Sequence, residues 1–386
     1  MDTALLWKAS SFQVVYAREP FPASVKKTVF LAGPTPRQDG IPSWRPEALK
    51  HLQALGFDGH VFLPEPKDGK WLADYDGQIE WEEEALNRSD VIVFWVPREV
   101  GPMTALTTNI EWGMWQDSGK VIWSAPDWAK HTRYPEYYAK KLGVQTANEL
   151  RQALFLAVER LGAGALREGG ETQVPLHVWQ KKEFQSWLSS QKAAGNRLDG
   201  ARVLWAFFTK SGFLFSYVVH VNVHVASENR NKVNEWVLFR SDISSVLLHH
   251  EDKVVLVREF RSPVRNEEGF IYELPGGSSF DTKENALQVA SSEVHEETGL
   301  MLDPKRFKKF GARQLTGTLS SHVASLYTCE LTAEEIAHLE ADKSPHGNFV
   351  TDSEMTFIEV RTLAEIQANN LVDWTTLGMI LAALKA

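Results

Sequence analysis

Glu293, Glu296 and Glu297 stand at i, i+3 and i+4 of one segment. On a helix that spacing gathers three carboxylates within an arc of about 100°. Like charges so crowded repel, and a solvated helix gains nothing from the arrangement. A hard divalent cation relieves the repulsion, and a set of oxygen ligands suits magnesium or manganese. An acidic stripe facing solvent has the same spacing. The surrounding stretch, Pro275–Leu300, reads PGGSSFDTKENALQVASSEVHEETGL. Asp281, three residues before Glu284, fits a capping-box N-cap, and Gly299 fits a left-handed C′ residue, so the pattern predicts a helix over Lys283–Thr298. Leu287, Ala290 and Val294 give that helix an apolar face to pack on a sheet.

A second group of acids lies in the other half of the chain. A buried strand over Val91–Val96 is followed by a loop and a predicted helix over Thr108–Asp117, which places Glu111 in its first turn. The positive end of a helix favours an ionised carboxylate, the form a nucleophile needs. Thr108-x-x-Glu111 also spells a capping box, a purely structural role. Gly33-Pro34 ends the strand Thr28–Ala32 and lets a ligand approach the backbone. Another acid, Glu82, lies on the helix before the central strand. Trp81, Phe94, Trp95 and Trp112 are close in sequence to both acids, and core packing is the commoner fate of such rings.

The elements that must position these groups fall into two textures. The first alternates strands (Thr28–Ala32, His60–Leu63, Val91–Val96, Val121–Trp123, Gly143–Thr146) with helices (Arg45–Leu55, Gln78–Asn87, Thr108–Asp117, Ala147–Leu161). That alternation predicts a doubly wound parallel sheet, with ligands gathered at the carboxyl ends of its strands. The glycine-rich Gly162–Gly170 closes it. Pro175–Arg197 reads as a helical connector that buries Trp179, Phe184, Trp187 and Leu188. Beyond it, strands predominate: Val203–Thr209, Phe213–Val225, Trp236–Arg240, Ser245–His249, Lys253–Phe260, Arg313–Leu315, Ala324–Glu330 and Met355–Glu359. With one central helix and a terminal helix over Trp374–Leu384, this half reads as α+β. The expected organisation is therefore residues 25–166, a connector at 167–200, and residues 201–386.

Length and composition fit this division. The chain has 386 residues, 43% of them hydrophobic and 24% charged, which suits two or three globular domains. A net charge of −9 argues against binding along a nucleic-acid polymer. The single cysteine, Cys329, cannot form an internal disulfide, which fits a reducing compartment. No run of residues approaches a membrane span, and the start lacks a signal-peptide pattern. A soluble cytoplasmic protein is the expectation, and a homo-oligomer is compatible with it.

Two resemblances sharpen the reading. The segment Pro275–Leu300 resembles the Nudix box, with Glu284, Glu293, Val294, Glu296, Glu297, Gly299 and Leu300 in place. Together with Val254–Arg261 and the turn Glu273–Gly277, residues 200–386 look most like the ADP-ribose and nucleotide-sugar pyrophosphatases of that superfamily. The resemblance implies an α/β/α sandwich around a mixed sheet and magnesium-assisted attack of water on a diphosphate. Glu293 and Glu297 would be the main ligands and catalytic groups, helped by Glu296 and the carbonyl of Gly276. Arg258 and Arg261 would contact phosphate, although strand-surface charge accounts for them as readily. The chain departs from the pattern at Ser292, which replaces an arginine, and by one extra residue between Gly277 and Glu284. It departs again at Ser321-His322, where a glutamate is usual.

Residues 25–165 resemble the nucleoside 2-deoxyribosyltransferases, through FLAGP (Phe30–Pro34), FWVP (Phe94–Pro97), TTNIE (Thr107–Glu111) and SGK (Ser118–Lys120). The resemblance implies a flavodoxin-like sheet, with Glu111 as the nucleophile toward an anomeric carbon. Glu82, eight residues before Asp90, would be the acid that handles the base. Asn109 is placed to bond a sugar hydroxyl or, equally, to serve a buried loop, and Gly33 and Pro34 would line the substrate. Ala105 stands where members of the family carry an aspartate.

Together the two resemblances imply a fusion that processes a small nucleoside or nucleotide. One part would act on the base–sugar bond, and the other on a phosphoanhydride with Mg2+ or Mn2+. The rival class is a sensor that binds such molecules without turnover, and Ala105, Ser292 and His322 favour it.

Overall fold

The computed structural model describes residues 12–36, 40–71, 74–278, 285–347 and 354–385. They form two compact units, Met1–Phe239 and Arg240–Ala386. The first begins with β1 (Gln13–Tyr16), β2 (Ser24–Val25), β3 (Thr28–Ala32), α1 (Arg45–Ala54), β4 (His60–Leu63) and α2 (Asp76–Arg88). It continues through β5 (Val91–Trp95), α3 (Leu106–Trp115), β6 (Val121–Ser124), α4 (Arg133–Lys141), β7 (Gln145–Ala147) and α5 (Leu150–Leu161). Next come β8 (Arg167–Glu168), α6 (Leu176–Trp179), α7 (Lys182–Ala193) and the long strands β9 (Arg197–Phe208), β10 (Leu214–Val225) and β11 (Arg230–Arg240).

Six strands form a parallel sheet in the order β1-β4-β3-β5-β6-β7. Counted from β3, the last five stand in the doubly wound order 2-1-3-4-5, and the switch point lies between β3 and β5. The period-2 alternation of a strand divides each central strand between two cores. Val29, Leu31, Val61, Val91 and Val93 pack with Ala48 and Leu52 of α1 and with Ala153, Leu154 and Ala157 of α5. Phe30, Phe62, Ile92 and Phe94 face the other way, onto Trp81 and Ala85 of α2, Trp112 of α3 and Ala139 of α4. Both faces are covered, which is why these strands read as unbroken apolar runs.

The boundary between units differs from expectation. The glycine-rich 162–170 segment is anchored within the first unit. Arg167 is wholly buried, and its two terminal nitrogens each reach Asp90 at 2.6 Å. β8 also pairs with β2. The three long strands form their own sheet, β11-β10-β9, with β10 and β9 antiparallel, and share a core with Val174, Val178, Phe184 and Leu188. Gln173 accepts the Ala201 N–H, and Arg202 pairs with Glu83 of α2 at 2.6 Å. Residues 167–239 therefore belong with the parallel sheet, not to a free connector and a following domain. Phe184 and Leu188 are buried as expected, with Trp179 and Trp187 packed beside them.

The second unit holds β12 (Ile243–His250), β13 (Lys253–Phe260), β14 (Phe270–Glu273), β15 (Gly276–Gly277), α8 (Ala286–Thr298) and β16 (Lys308–Gln314). β17 (Val323–Glu330), α9 (Ala333–Ala341), β18 (Thr356–Thr362), α10 (Leu363–Ala368) and α11 (Trp374–Leu384) complete it. The sheet runs β14-β13-β12-β17-β16, with β18 against β13 and β15 against β12. It is mixed, because β12 and β17 are parallel and the other pairs antiparallel. Ala290 and Val294 of α8 and Ile336 and Leu339 of α9 fill a core with Val246, Leu248 and Val255. Leu247, Val254 and Leu256 point the other way, onto Ile366 of α10 and Ile380 of α11.

Asn285, not Asp281, caps α8, in a reciprocal capping box with Gln288. Asp281 and Glu284 lie outside the described residues. Gly299 closes the helix in the left-handed conformation, as its position suggested.

Candidate functional site

The switch point of the parallel sheet gathers the acids of the first unit. At the end of β3, Gly33 lies so close to β5 that a Cβ would stand 2.1 Å from the Trp95 carbonyl oxygen; with φ at 152°, only glycine is tolerated there. Pro34 follows, and its carbonyl accepts from the Trp44 indole at 3.1 Å.

Arg45 crosses the floor of this region. It is 1% exposed. Its guanidinium donates to the carbonyls of Leu31 and Gly33 at 3.1 and 2.8 Å, and to Glu65 at 2.6 Å. The ion pair and the bonds to the strand ends hold a full positive charge at the carboxyl edge of the sheet.

Glu82 on α2 and Glu111 on α3 both feel that charge. Burial pushes the Glu111 carboxyl up to about 7; the Glu82 carboxylate pushes it the same way, and Arg45 opposes both. Burial also raises Glu82, opposed by a 2.7 Å hydrogen bond from the Gln78 amide and by Arg45. The two acids are thus half-buried and electrostatically coupled, the environment in which perturbed carboxyls do chemistry.

Two expectations about Glu111 are corrected. Helix α3 starts at Leu106, two residues earlier than predicted, so Glu111 is in its second turn, beyond the reach of a first-turn dipole effect. The N-cap is Ala105, in the left-handed conformation and without a side-chain cap, so Thr108 and Glu111 form no capping box. The net field raises the proton affinity of Glu111 instead of lowering it.

Asn109 is exposed, and its amide oxygen accepts from the Arg98 guanidinium at 2.5 Å. That leaves the amide N–H groups as its means of meeting a ligand. Trp81, Phe94, Trp95 and Trp112 are all buried; Trp81 stacks on Phe21, and Trp112 packs edge-on to Phe94. They are core. Arg45 is the residue missed in the sequence. Arg45, Ala48 and Leu52 share the buried face of α1, and an arginine on such a face signals a buried partner.

In the second unit, the Gly276 N–H donates to a Glu297 carboxylate oxygen at 2.8 Å. Glu297 is 3% exposed, and burial holds its carboxyl well above the usual range, with Glu293, Glu354 and Glu273 adding repulsion. Glu259 is likewise pushed up to about 7, by burial first, then Glu354 and Glu273, against the pull of Arg261. Arg261 lies 2.7 Å from Glu259 and 3.8 Å from both Glu273 and Glu354, bridging these acids. Arg258 faces the Phe270 ring at 4.3 Å, and its nearest carboxylate is Glu359 at 3.8 Å.

Glu296 is exposed, while Glu293 is half-buried and stands against Gly277. Among the described residues no three His, Cys, Asp or Glu side chains converge closely enough to hold an ion. The crowding of the buried Glu297 by Glu293, Glu354 and Glu273 is what a hard divalent cation would relieve. His322 is buried, its Nδ1 lies 2.5 Å from the Ser320 hydroxyl, and burial lowers its proton affinity.

Among the described residues no helix is long and apolar enough to cross a membrane. No curated protein matches the chain. Residues 26–127, which carry the sheet edge, Arg45, Glu82 and Glu111, match the family model described as nucleoside 2-deoxyribosyltransferase like, and the N-terminal part of the chain is a domain of that kind.

Proposed function

We propose that the first unit breaks the N-glycosidic bond of a nucleoside or nucleotide, releasing the base or exchanging it for another. The observation that carries this is the coupled pair Glu82 and Glu111 beside Arg45 at the switch point. Ionised Glu111 attacks the anomeric carbon, so a carbon–oxygen bond forms as the carbon–nitrogen bond breaks. In the reactive form the coupled pair holds one proton, on Glu82, which gives it to the departing base. Water or a second base then displaces Glu111, and Glu82 returns as the base that activates the incoming group. Arg45 keeps part of Glu111 ionised near neutrality. Gly33 and Pro34 give the substrate room against the strand end, and Asn109 offers its amide N–H groups to a sugar oxygen.

Incubation with a panel of nucleosides and nucleotides, read by mass spectrometry, tests the reading. Base release by the parent protein and its loss in Glu111→Gln are expected. A parent protein that binds these molecules but releases no base would instead be a sensor.

The second unit supports a further reading, hydrolysis of a nucleoside diphosphate derivative of the ADP-ribose type, as the Nudix resemblance implies. The Nudix-box spacing and the Gly276–Glu297 hydrogen bond support it. Glu293 and Glu297, with Glu296 and the Gly276 carbonyl, are the groups that would hold Mg2+ or Mn2+. When bound, that ion would polarise a phosphoryl oxygen and acidify a water. Arg261 offsets the charge of Glu259, Glu273 and Glu354, and with Arg258 it is proposed to meet the phosphates. Magnesium-dependent phosphomonoester formation from ADP-ribose tests this part separately.

A further inference from the structure

A cavity of about 410 Å³ lies within the first unit at the foot of α3, past the last turn of the helix that carries Glu111. Neither Glu82 nor Glu111 lines it. Its walls come from the end of α3 (Met114, Trp115), the turn into β6 (Lys120), α6 (His177) and β9 (Leu204, Trp205). These lie toward the amino ends of the parallel strands, away from the switch-point edge.

The lining has the chemistry of a site for a flat heterocycle. Trp115 and Trp205 offer indole surface, and Met114, Leu204 and Trp205 are each more than half exposed. The Lys120 side chain lies over the Trp115 ring, its nitrogen 4.3 Å from the ring centre and bonded to the carbonyls of Leu86 and Asn87. Polar groups complement the rings. Trp115 Nε1 and both ring nitrogens of His177 are buried with no hydrogen-bond partner among the described residues. Burial, together with Lys120, Arg160 and Lys181, keeps His177 neutral, so it has one donor and one acceptor nitrogen. Buried polar atoms without partners are costly, and in a cavity wall they favour an occupant that pairs with them as the rings turn toward it. A volume of this size takes a base or a nucleoside.

We infer that the cavity at the foot of α3 is a second binding site of the first unit, for a purine or pyrimidine base. Stacking on the indoles supplies the attraction. The alternating donors and acceptors of a base edge meet the Trp115 and His177 nitrogens. The inference concerns binding alone and does not depend on turnover at Glu111.

Saturation-transfer NMR with adenine as the probe, and cyclohexanol as an apolar control of similar reach, tests it. Trp205→Ala removes stacking surface at a half-exposed position, so folding is not at stake. Trp115→Phe keeps a ring under Lys120 but deletes the N–H. Each variant is expected to weaken adenine binding at least about fivefold, the scale of one lost stacking contact or hydrogen bond. Glu111→Gln should retain the signal from this site. Adenine binding unchanged in both pocket variants, abolished by Glu111→Gln alone, or displaced equally well by cyclohexanol would overturn the assignment.

Discussion

Asp90 and Arg167 are 77 residues apart in the chain, yet they meet through two hydrogen bonds of 2.6 Å, with both side chains essentially excluded from solvent. Asp90 opens the central strand β5 and also accepts from the backbone N–H of Thr28 and Leu176. One carboxylate thus ties the start of β3, the start of β5, the glycine-rich segment and the turn into α6. Removing one partner of such a pair strands a buried charge, which costs about 3–5 kcal/mol. Arg167→Ala should lower the unfolding free energy of the first unit by that amount in chemical denaturation. Limited proteolysis should leave the 162–170 segment intact in the parent protein and open it in the variant.

The protonation of Glu111 gives a second prediction. Its carboxyl titrates near 7 in the folded protein, against an ordinary value of 4.5. The reaction needs Glu111 ionised and Glu82 protonated, one proton between the coupled pair, so kcat/KM for base release should follow a bell whose alkaline limb falls through about 7. The same shift has a thermodynamic sign. A raised carboxyl pKa means the folded state holds the proton more tightly. Its stabilising contribution is present below about 4.5 and is lost as pH rises to about 7, a loss of at most about 3 kcal/mol. Glu111→Gln should therefore melt higher than the parent at pH 8 and close to it at pH 4, while releasing no base.

The sequence showed the sheet more readily than the site. Val91–Trp95 and Thr28–Ala32 are short apolar runs bounded by turns, and burial on both faces forces that composition. β1 is an edge strand whose residues are mostly half-exposed, so it carries little apolar signal. The amphipathic α4 went unnoticed because tyrosines and lysines, not aliphatic residues, define its faces. Glu82 was picked out only through the resemblance to the nucleoside 2-deoxyribosyltransferases, and Glu111 through its place after a recognisable strand together with that resemblance. Arg45 was not, because its role depends on carbonyls of Leu31 and Gly33 and on Glu65, which only the folded sheet brings to it. The long strands β9–β11 were read correctly as strands and assigned to the wrong body. Their partner surface, on α6 and α7, is a tertiary choice that local pattern does not encode.

Arg45 itself gives a third prediction. It is the cation that opposes the rise of both Glu111 and Glu82. Arg45→Met should shift the rising limb of the pH–rate profile of base release to more alkaline pH, along with any loss of stability from the unpaired strand-end carbonyls. Arg45→Lys restores a charge without the planar fork and should return the profile part of the way. A profile that keeps its midpoint in Arg45→Met would show that Arg45 acts only as a brace.

The buried Glu297 carries both charge and the catalysis proposed for the second unit, so one substitution reads both. The folded-state proton affinity of Glu297 is raised by burial first and by repulsion from Glu293, Glu354 and Glu273. The sign is that of Glu111: ionisation opposes folding, and the opposition grows as pH rises above the ordinary carboxylate range. In chelator-containing buffer at pH 8, Glu297→Gln should raise the melting temperature of the second unit and keep the Gly276 hydrogen bond through its amide oxygen. With magnesium and ADP-ribose, the same variant should lose at least about a hundredfold in turnover, because an amide supplies no charge to a cation. A higher melting temperature with turnover unchanged would leave Glu297 a strained structural acid and remove the hydrolase reading from this unit. A higher melting temperature with turnover lost would mark the charge as one kept for chemistry, at the expense of stability.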